Sequence, residues 1–407
     1  MRILLVHGRY RSTAPSGENR VVDQEAAALS DTGHEVDRFE RHSDEIAQWS
    51  AYEKAALPFR SVRNSTIRNQ LADTLAHSRP DVVHVHNTFP ILSPSVLDAC
   101  HDAEVPVVAT MHNYKLLCAS GDFFRNGRLC HECISGTVAP ALMHGCYRNS
   151  RAATLPVAAG LKLNRSRWRS LVSAYIFISH AQRQLMSSLA LPAERVFVKH
   201  NLVPPVPNRG AAERQHVVVY LGRLDAAKGV PLLMRSWDRF RAANPNSRLR
   251  LVIAGGGPLA TEVQRWSESH DTVDAVGMLG AAEIADLMPR ALAAIIPSQW
   301  AETFGLVAVE AMAAEVAPIA PARGSFPELI TDGVDGALFE PDSPDALART
   351  LGEVDRQPER YIERGRRALT TFRARFHPTV NVAELLAIYR YAVANPVRRT
   401  RSDSAGR

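Results

Sequence analysis

The stretch Pro297-Ser-Gln-Trp-Ala-Glu302-Thr-Phe-Gly305-Leu-Val-Ala-Val-Glu310-Ala-Met312 decides how the whole chain is read. The apolar run Ala293–Ile296 leads into Pro297, and Gly305 precedes a helix-forming run. This is a strand, a loop and a helix start, as at the carboxyl edge of a parallel sheet. The first N–H groups of such a helix lack an intrahelical acceptor and attract an anion. Glu302 falls before the helix and Glu310 about one and a half turns inside it. Two carboxylates beside an anion site can accept hydrogen bonds from sugar hydroxyls while amides hold phosphate. Taken alone, the pair reads as well as two surface glutamates, one of them capping the helix.

A companion lies upstream, in Tyr220-Leu-Gly222-Arg223-Leu-Asp-Ala-Ala-Lys228-Gly229, again at a strand end. Arg223 and Lys228, flanked by glycines, can hold a diphosphate from two sides, one as a fork and one as a point charge. The plain alternative is a turn with two solvated cations. Between these two stretches stands Ala254-Gly-Gly256-Gly-Pro-Leu-Ala260. It formally matches G-x-G-x-x-A, so an NAD-binding module is an alternative. The match falls on the second strand of its half rather than opening a βαβ unit, which disfavours a dinucleotide.

The same alternation runs through the chain. In the first half the strand-like runs are Ile3–Val6, Val82–Val85, Val105–Ala109, Tyr175–Ile178 and Val196–Val198. In the second they are Val217–Leu221, Leu249–Ala254, Val273–Val276, Ala293–Ile296, Ala317–Ala320 and Ala337–Phe339. Near-continuous apolar strands between amphipathic helices predict parallel sheets covered on both faces. In the first helix Val21, Val22, Ala26 and Leu29 share one stripe, and Gly33 closes it. The proline-rich segment Leu202–Ala212 has no period and reads as a linker. The predicted organisation is an N-terminal domain over 1–203, a linker at 204–213 and a C-terminal domain over 214–378. A helix at 379–397 packs back towards the N-terminal domain, and a disordered tail occupies 398–407.

The 407 residues exceed one comfortable core and agree with two domains. A net charge of +6 spread over the chain argues against nucleic acid as a partner. Two local basic patches, Arg60 to Arg68 and Lys162 to Arg169, are candidates for an anionic membrane surface or plain solvated helix faces. No apolar run reaches the length of a membrane span, and the opening residues read as a strand rather than a signal segment. A cytoplasmic protein is expected, with peripheral attachment at the inner face of the membrane as an option.

Taken together, these motifs resemble the retaining glycosyltransferases of family 4, glycosyl transferases group 1. Their GT-B fold has two Rossmann-like doubly wound parallel-sheet domains facing a central cleft. The resemblance rests on Gly222-Arg223…Lys228-Gly229, Gly255-Gly-Gly-Pro258, Glu302…Glu310 and Pro327-Glu328…Asp332-Gly333…Gly336. In the first half it rests on Ser16-Gly17-Glu18, Gly33-His-Glu-Val36, His84-Val-His86-Asn87 and Thr110-Met-His112-Asn113. Ser16 stands where the family often has glycine. The resemblance implies that Arg223 and Lys228 neutralise the donor diphosphate, Glu310 binds the ribose and Glu302 the transferred hexose. The amides of Phe304, Gly305 and Leu306, beside Thr303, would touch sugar and phosphate. Gly17, Gly222 and Gly256 would let backbone approach the donor, and His112 would sit over the anomeric region. The Gly277–Leu279 turn, with Met278 and Leu279, would select the base. Of His84 and His86, at least one reads as a hydrogen-bonded core histidine.

No D-x-D, nucleophile elbow, Walker loop or H-E-x-x-H occurs. The missing D-x-D argues against a metal-bridged diphosphate, and the resemblance implies a retaining, metal-independent transfer to a glycan or lipid-linked acceptor in envelope, exopolysaccharide or glycoconjugate synthesis. The leaving phosphate itself would take the acceptor proton, and no cofactor is required beyond the nucleotide-diphosphate sugar. Alternatives are an epimerase or phosphorylase of the same fold, or a non-catalytic nucleotide-sugar-binding protein. Finally, Cys118, Cys130, Cys133 and Cys146 crowd a glycine-rich insert over 118–146. Their C-x-x-C core suits a structural zinc, with free thiols or disulfides as alternatives. His131 and His144 could replace a thiolate. Cys100 is expected to be simply buried.

Overall fold

A computed structural model describes residues 1–13, 16–206 and 213–397. The segment 207–212 of the expected linker and the tail 398–407 lie outside the described residues. The chain divides into two compact units. The first comprises Met1–Phe123, Cys130–Leu202 and the described residues from Asn381 onward; the second comprises Phe124–Leu129 and Val203–Val380.

The first unit holds a six-stranded parallel sheet. Its strands are β1 (Arg2–Arg9), β2 (Glu35–His42), β3 (Val82–Asn87), β4 (Val107–Met111), β7 (Ala174–Phe177) and β8 (Val196–Val198). A short antiparallel hairpin, β5 (Phe124–Arg125) and β6 (Arg128–Leu129), separates β4 from β7 in sequence. The spatial order is β2-β1-β3-β4-β7-β8. β3, Val-Val-His-Val-His-Asn, is buried along its whole length, as a central parallel strand must be. β4 begins after Pro106, which has no N–H but whose carbonyl accepts the Val83 N–H at 3.0 Å. β2 is absent from the sequence-based strands because Glu-Val-Asp-Arg-Phe-Glu-Arg-His pairs on one edge only and is half-exposed, with Phe39 alone buried. A solvated edge needs no apolar run. The helix Pro378–Ala394 completes this core with Val382, Leu385, Ile388, Tyr389 and Ala392, which join Ile3, Leu5, Val22, Ala26 and Leu29.

In the second unit the strands are β9 (Val217–Leu221), β10 (Arg250–Ala254), β11 (Val273–Gly277), β12 (Ala293–Ile295), β13 (Ala317–Pro321) and β14 (Ala337–Phe339). Their order, β11-β10-β9-β12-β13-β14, is the doubly wound Rossmann order. The order reverses between β9 and β12, so the loops after these two strands flank the switch point. In the first unit the switch lies between β1 and β3. Ligands of open parallel sheets bind at such points, outside the carboxyl ends of the strands.

Candidate active site

In the second unit the loops after β9 and β12 are joined by an ion pair. The Lys228 ammonium stands 2.5 Å from Glu302 Oε1 and 5.0 Å from the centre of the Trp300 ring. Ser298 Oγ donates to the same Glu302 oxygen at 2.8 Å. Glu302 is buried, whereas Lys228 keeps 31% of its side chain exposed, so the cation can meet a ligand. Arg223 does not join this pair: its guanidinium bonds Asp225 and is 68% exposed. Asp225 also accepts the Lys228 N–H at 2.8 Å, so one buried carboxylate shapes the loop that carries both cations.

The glycines of this loop answer to close packing. Gly229 has φ +77°, and a Cβ there would lie 1.8 Å from the Pro297 carbonyl oxygen. Gly255 has φ +151°, and its Cβ would fall 1.8 Å from the Gly222 carbonyl oxygen. The Gly222 N–H donates to Ala254 at 3.1 Å and the Leu224 N–H to Gly256 at 2.9 Å. The G-x-G pattern thus serves the packing of the β10 turn on the β9 loop. Met278 is exposed, with its side chain beside Gly256. Gly305, at φ +87°, precedes the helix Leu306–Ala313, which carries Glu310 half-buried; Thr303 and Phe304 are buried just before it, and Leu279 is half-buried.

In the first unit Ser16 is the N-cap of the helix Gly17–Asp31, its Oγ accepting from Asn19 N at 3.4 Å. The departure from glycine at Ser16 thereby has a structural role as a cap. Glu18, in the first turn, accepts from Tyr10 Oη at 3.2 Å and Asn113 Nδ2 at 3.3 Å, while its Oε1 is buried without a partner. Desolvation raises the Glu18 carboxyl to about 7 against the opposing pull of Lys115, and desolvation lowers Lys115. His112 follows β4 and meets His86 Nδ1 through its Nε2 at 2.9 Å. Burial and then the nearby His7 lower His112 to about 3. His84 and His86 are both core residues, so the expectation of at least one holds twice. Cys100 is fully buried.

His86, His112, Asn113 and Lys115 line a cavity of about 120 Å³ within this unit. Its other wall is apolar, formed by Leu116, Pro156, Val157, Leu161, Trp168 and Leu189, with Arg165 and Arg169 also present.

The cysteine insert differs from its expected form. Cys133 is buried with Ala119 and Ala141, and Cys146 and Val157 pack against them. Tyr114 and Phe123 are fully buried beside this segment, their ring centres 4.8 Å apart. The insert therefore has a small core of its own. Among the described residues no three cysteine or histidine ligand atoms of the insert come within 4.8 Å of one another, and His144 bonds Glu132 at 2.9 Å. The zinc reading of Cys118, Cys130, Cys133 and Cys146 is not supported. Both basic patches are thinned as well: Arg68 pairs with Asp102, and Arg167 with Asp98 at 3.0 Å.

Sequence reasoning gave no role to Glu18 and Asp225, which stand inside its motifs, and missed Lys115 and above all Glu25. Glu25 is buried on the stripe of Val21, Val22, Ala26 and Leu29. A carboxylate on an apolar helix face was the legible signal, since buried charges require partners.

Two family models match the chain, Glycosyltransferase Family 4 over residues 15–206 and Glycosyl transferases group 1 over residues 207–368. A D-inositol 3-phosphate glycosyltransferase of Corynebacterium kroppenstedtii is 31% identical over 200 residues, covering 47% of this chain and 44% of the relative. A lipopolysaccharide 1,2-N-acetylglucosaminetransferase of Salmonella typhimurium is 30% identical over 167 residues, covering 37% and 42%. The chain thus spans less than half the length of these curated relatives. Among solved structures, Anabaena Alr3699/HepE in complex with UDP and glucose superposes with a TM-score of 0.66 at 17% identity, covering 95% of this chain and 99% of that one. Sucrose-phosphate synthase from Thermosynechococcus elongatus gives 0.68 at 18%, covering 97% and 99%. With two doubly wound parallel sheets and both halves matched by their family models, the chain belongs to the family 4 (group 1) glycosyltransferases of the GT-B fold.

Proposed function

We propose that the protein is a retaining, metal-independent hexosyltransferase that uses a nucleotide-diphosphate sugar. The observation that carries this reading is the Lys228–Glu302 pair at the switch point, 2.5 Å apart and next to the start of the Leu306–Ala313 helix. A cation and a carboxylate held side by side offer one group to phosphate and the other to sugar hydroxyls. Lys228 and the exposed Arg223 would neutralise the diphosphate as it leaves. Glu302 would orient the hexose, Glu310 the ribose, and the amides from Phe304 to Leu306 the sugar and phosphate. Gly17 and Gly256 would admit the backbone to the donor, and the Met278–Leu279 turn would bear on base choice. In this reading the departing phosphate oxygen accepts the acceptor's hydroxyl proton, so no protein base is needed.

The acceptor reading rests on the first unit. Its cavity joins His112 and Asn113 to an apolar wall and to Lys115, Arg165 and Arg169, which suits a lipid-linked sugar with an anionic head. That reading places the protein on the inner membrane face in envelope or exopolysaccharide synthesis. No helix among the described residues is long and apolar enough to cross a membrane.

A thermal-shift screen of UDP-, GDP-, ADP- and TDP-sugars tests the donor reading. A ligand at 100 times its Kd should stabilise by about 2.7 kcal/mol. No shift with any of the four would overturn it. Transfer assayed over minutes in EDTA should persist, and loss restored by Mg²⁺ or Mn²⁺ would refute the metal-independent mechanism. A transfer product with inverted anomeric configuration would refute retention.

A further inference from the structure

After β13 the chain makes a short turn, Arg323-Gly-Ser-Phe326, that lies against the loop carrying Glu302. Each of its four residues meets that loop at a different point. Arg323 Nη1 donates to the Gln299 carbonyl at 2.8 Å. Gly324 has φ +61°, and a Cβ there would stand 2.7 Å from the Glu302 nitrogen. The Ser325 N–H donates to the Glu302 carbonyl at 3.1 Å, and Ser325 Oγ donates to the Phe304 carbonyl at 2.7 Å. The Phe326 ring covers Gly305, where a Cβ would come within 2.6 Å of it. None of the four has a role in the transfer described above.

Ser325 is placed unusually. It is the N-cap of the short helix Phe326–Leu329, yet its side chain caps nothing there. Serine hydroxyls at such positions ordinarily accept from the first N–H groups of their own helix. Here the hydroxyl is committed to a carbonyl 21 positions away, and the residue is fully buried. Residues 301–305 are buried as well and belong to no helix or strand, so their backbone groups need partners from elsewhere in the fold. Ser325 supplies two such donors, one from its backbone and one from its side chain.

A trans peptide is planar, with its C=O and N–H on opposite edges. Drawing the Glu302 carbonyl towards Ser325 therefore turns the Thr303 N–H to the far side. The Phe304 carbonyl, drawn to the same residue, turns the Gly305 N–H likewise. Among the described residues that buried Gly305 N–H meets no acceptor, although such groups are nearly always paired. We infer that Ser325 is a positioning residue: by holding the Glu302 and Phe304 carbonyls it aims the Gly305 N–H at the donor diphosphate. The bond to Phe304 resists rotation of that peptide, so the amide is oriented before the ligand arrives. The meeting with phosphate rests on the nucleotide-sugar reading of this loop; the direction of the two peptides does not.

Inorganic pyrophosphate is the probe, because it carries the anion of a nucleotide diphosphate without its base or sugar. Titrated into full-length, ¹⁵N-glycine-labelled protein, it should shift the Gly305 amide proton downfield. Ser325→Ala should lose most of that shift and lower kcat/KM on the order of 10-fold. Ser236→Ala is the control. Ser236 is equally buried in the same unit, and its Oγ donates to the Leu232 carbonyl at 2.7 Å, away from the loop. That variant should keep both the shift and the rate. If Ser325→Ala does not fold, Ser325→Cys, which offers only a weak S–H donor, is read in the same way. A lowered Tm with an unchanged Gly305 shift refutes the positioning role, as does a wild-type Gly305 amide that ignores pyrophosphate. Failure of the donor reading shows separately, as no stabilisation by any of the four nucleotide sugars.

Discussion

At the residue scale the two cations proposed to meet the donor stand in different settings. Lys228 is held against Glu302, whereas Arg223 extends outward from Asp225. If both stabilise a leaving diphosphate, Arg223→Ala and Lys228→Ala should each lower kcat/KM on the order of 10²-fold, measured by product formation at subsaturating donor. Lys228→Arg should also be impaired, because a planar fork does not replace a compact ammonium against Glu302. Near wild-type turnover in both alanine variants would remove the clamp. Glu18 makes a prediction about stability. Its folded value of about 7 lies above that of an unfolded glutamate, so its contribution is fully present below about pH 4.3 and is lost as pH rises towards 7. Glu18→Gln cannot ionise and should escape that loss. The Tm of the variant relative to wild type should therefore rise between pH 5 and pH 8, by roughly 2–4 °C. An equal difference at both pH values would contradict it.

At the scale of elements, two helices of the first unit expose large apolar side chains near cations. Ala51–Arg60 and Arg151–Leu163 pack on one another. Tyr52, Phe59, Leu155 and Leu163 are largely exposed on them, close in sequence to Arg60 and Lys162. Exposed apolar side chains mixed with cations suit an anionic lipid surface, each nearby cation contributing about 1 kcal/mol. Liposome flotation should recover more protein with anionic than with neutral vesicles, and salt should reduce the difference. Phe59→Ser with Leu155→Ser should weaken recovery on both. Equal recovery on the two vesicle types would leave these faces as ordinary solvated helices.

For the whole molecule, the chain leaves the first unit at Leu202 and returns to it at Asn381. The returning helix buries Val382, Leu385, Ile388, Tyr389 and Ala392 in the same core as β1. Burying a side chain of the Val, Leu or Ile type is worth about 1.5–3 kcal/mol, so losing this set approaches the whole stability of a domain. Truncation after His377 should make residues 1–202 protease-sensitive. A truncated protein with an intact, cooperative first unit would show that the helix is dispensable.

The amino-acid sequence by itself determined the alternating architecture and the loops that carry Arg223, Lys228 and Glu302. Its buried strands are continuous apolar runs, and its loop motifs are local: Gly229 and Gly255 answer to backbone close to them in the fold, but their glycine pattern is visible in line. β2 was not legible, because a half-exposed edge strand with Phe39 as its one buried residue carries no apolar code. The zinc expectation gained no support, for a related reason. Cysteine spacing is also what a small apolar core of Cys133, Ala119 and Ala141 leaves in a sequence, and only packing separates the two. The buried cluster of Glu25, His84, His86, Lys199 and Tyr389 was decided by tertiary structure alone. Its members come from an opening helix, one central strand, the residue after β8 and the last helix, and the His84–Tyr389 hydrogen bond alone joins positions 305 apart. A buried carboxylate takes its meaning from the partners that folding brings to it, and no local pattern announces them.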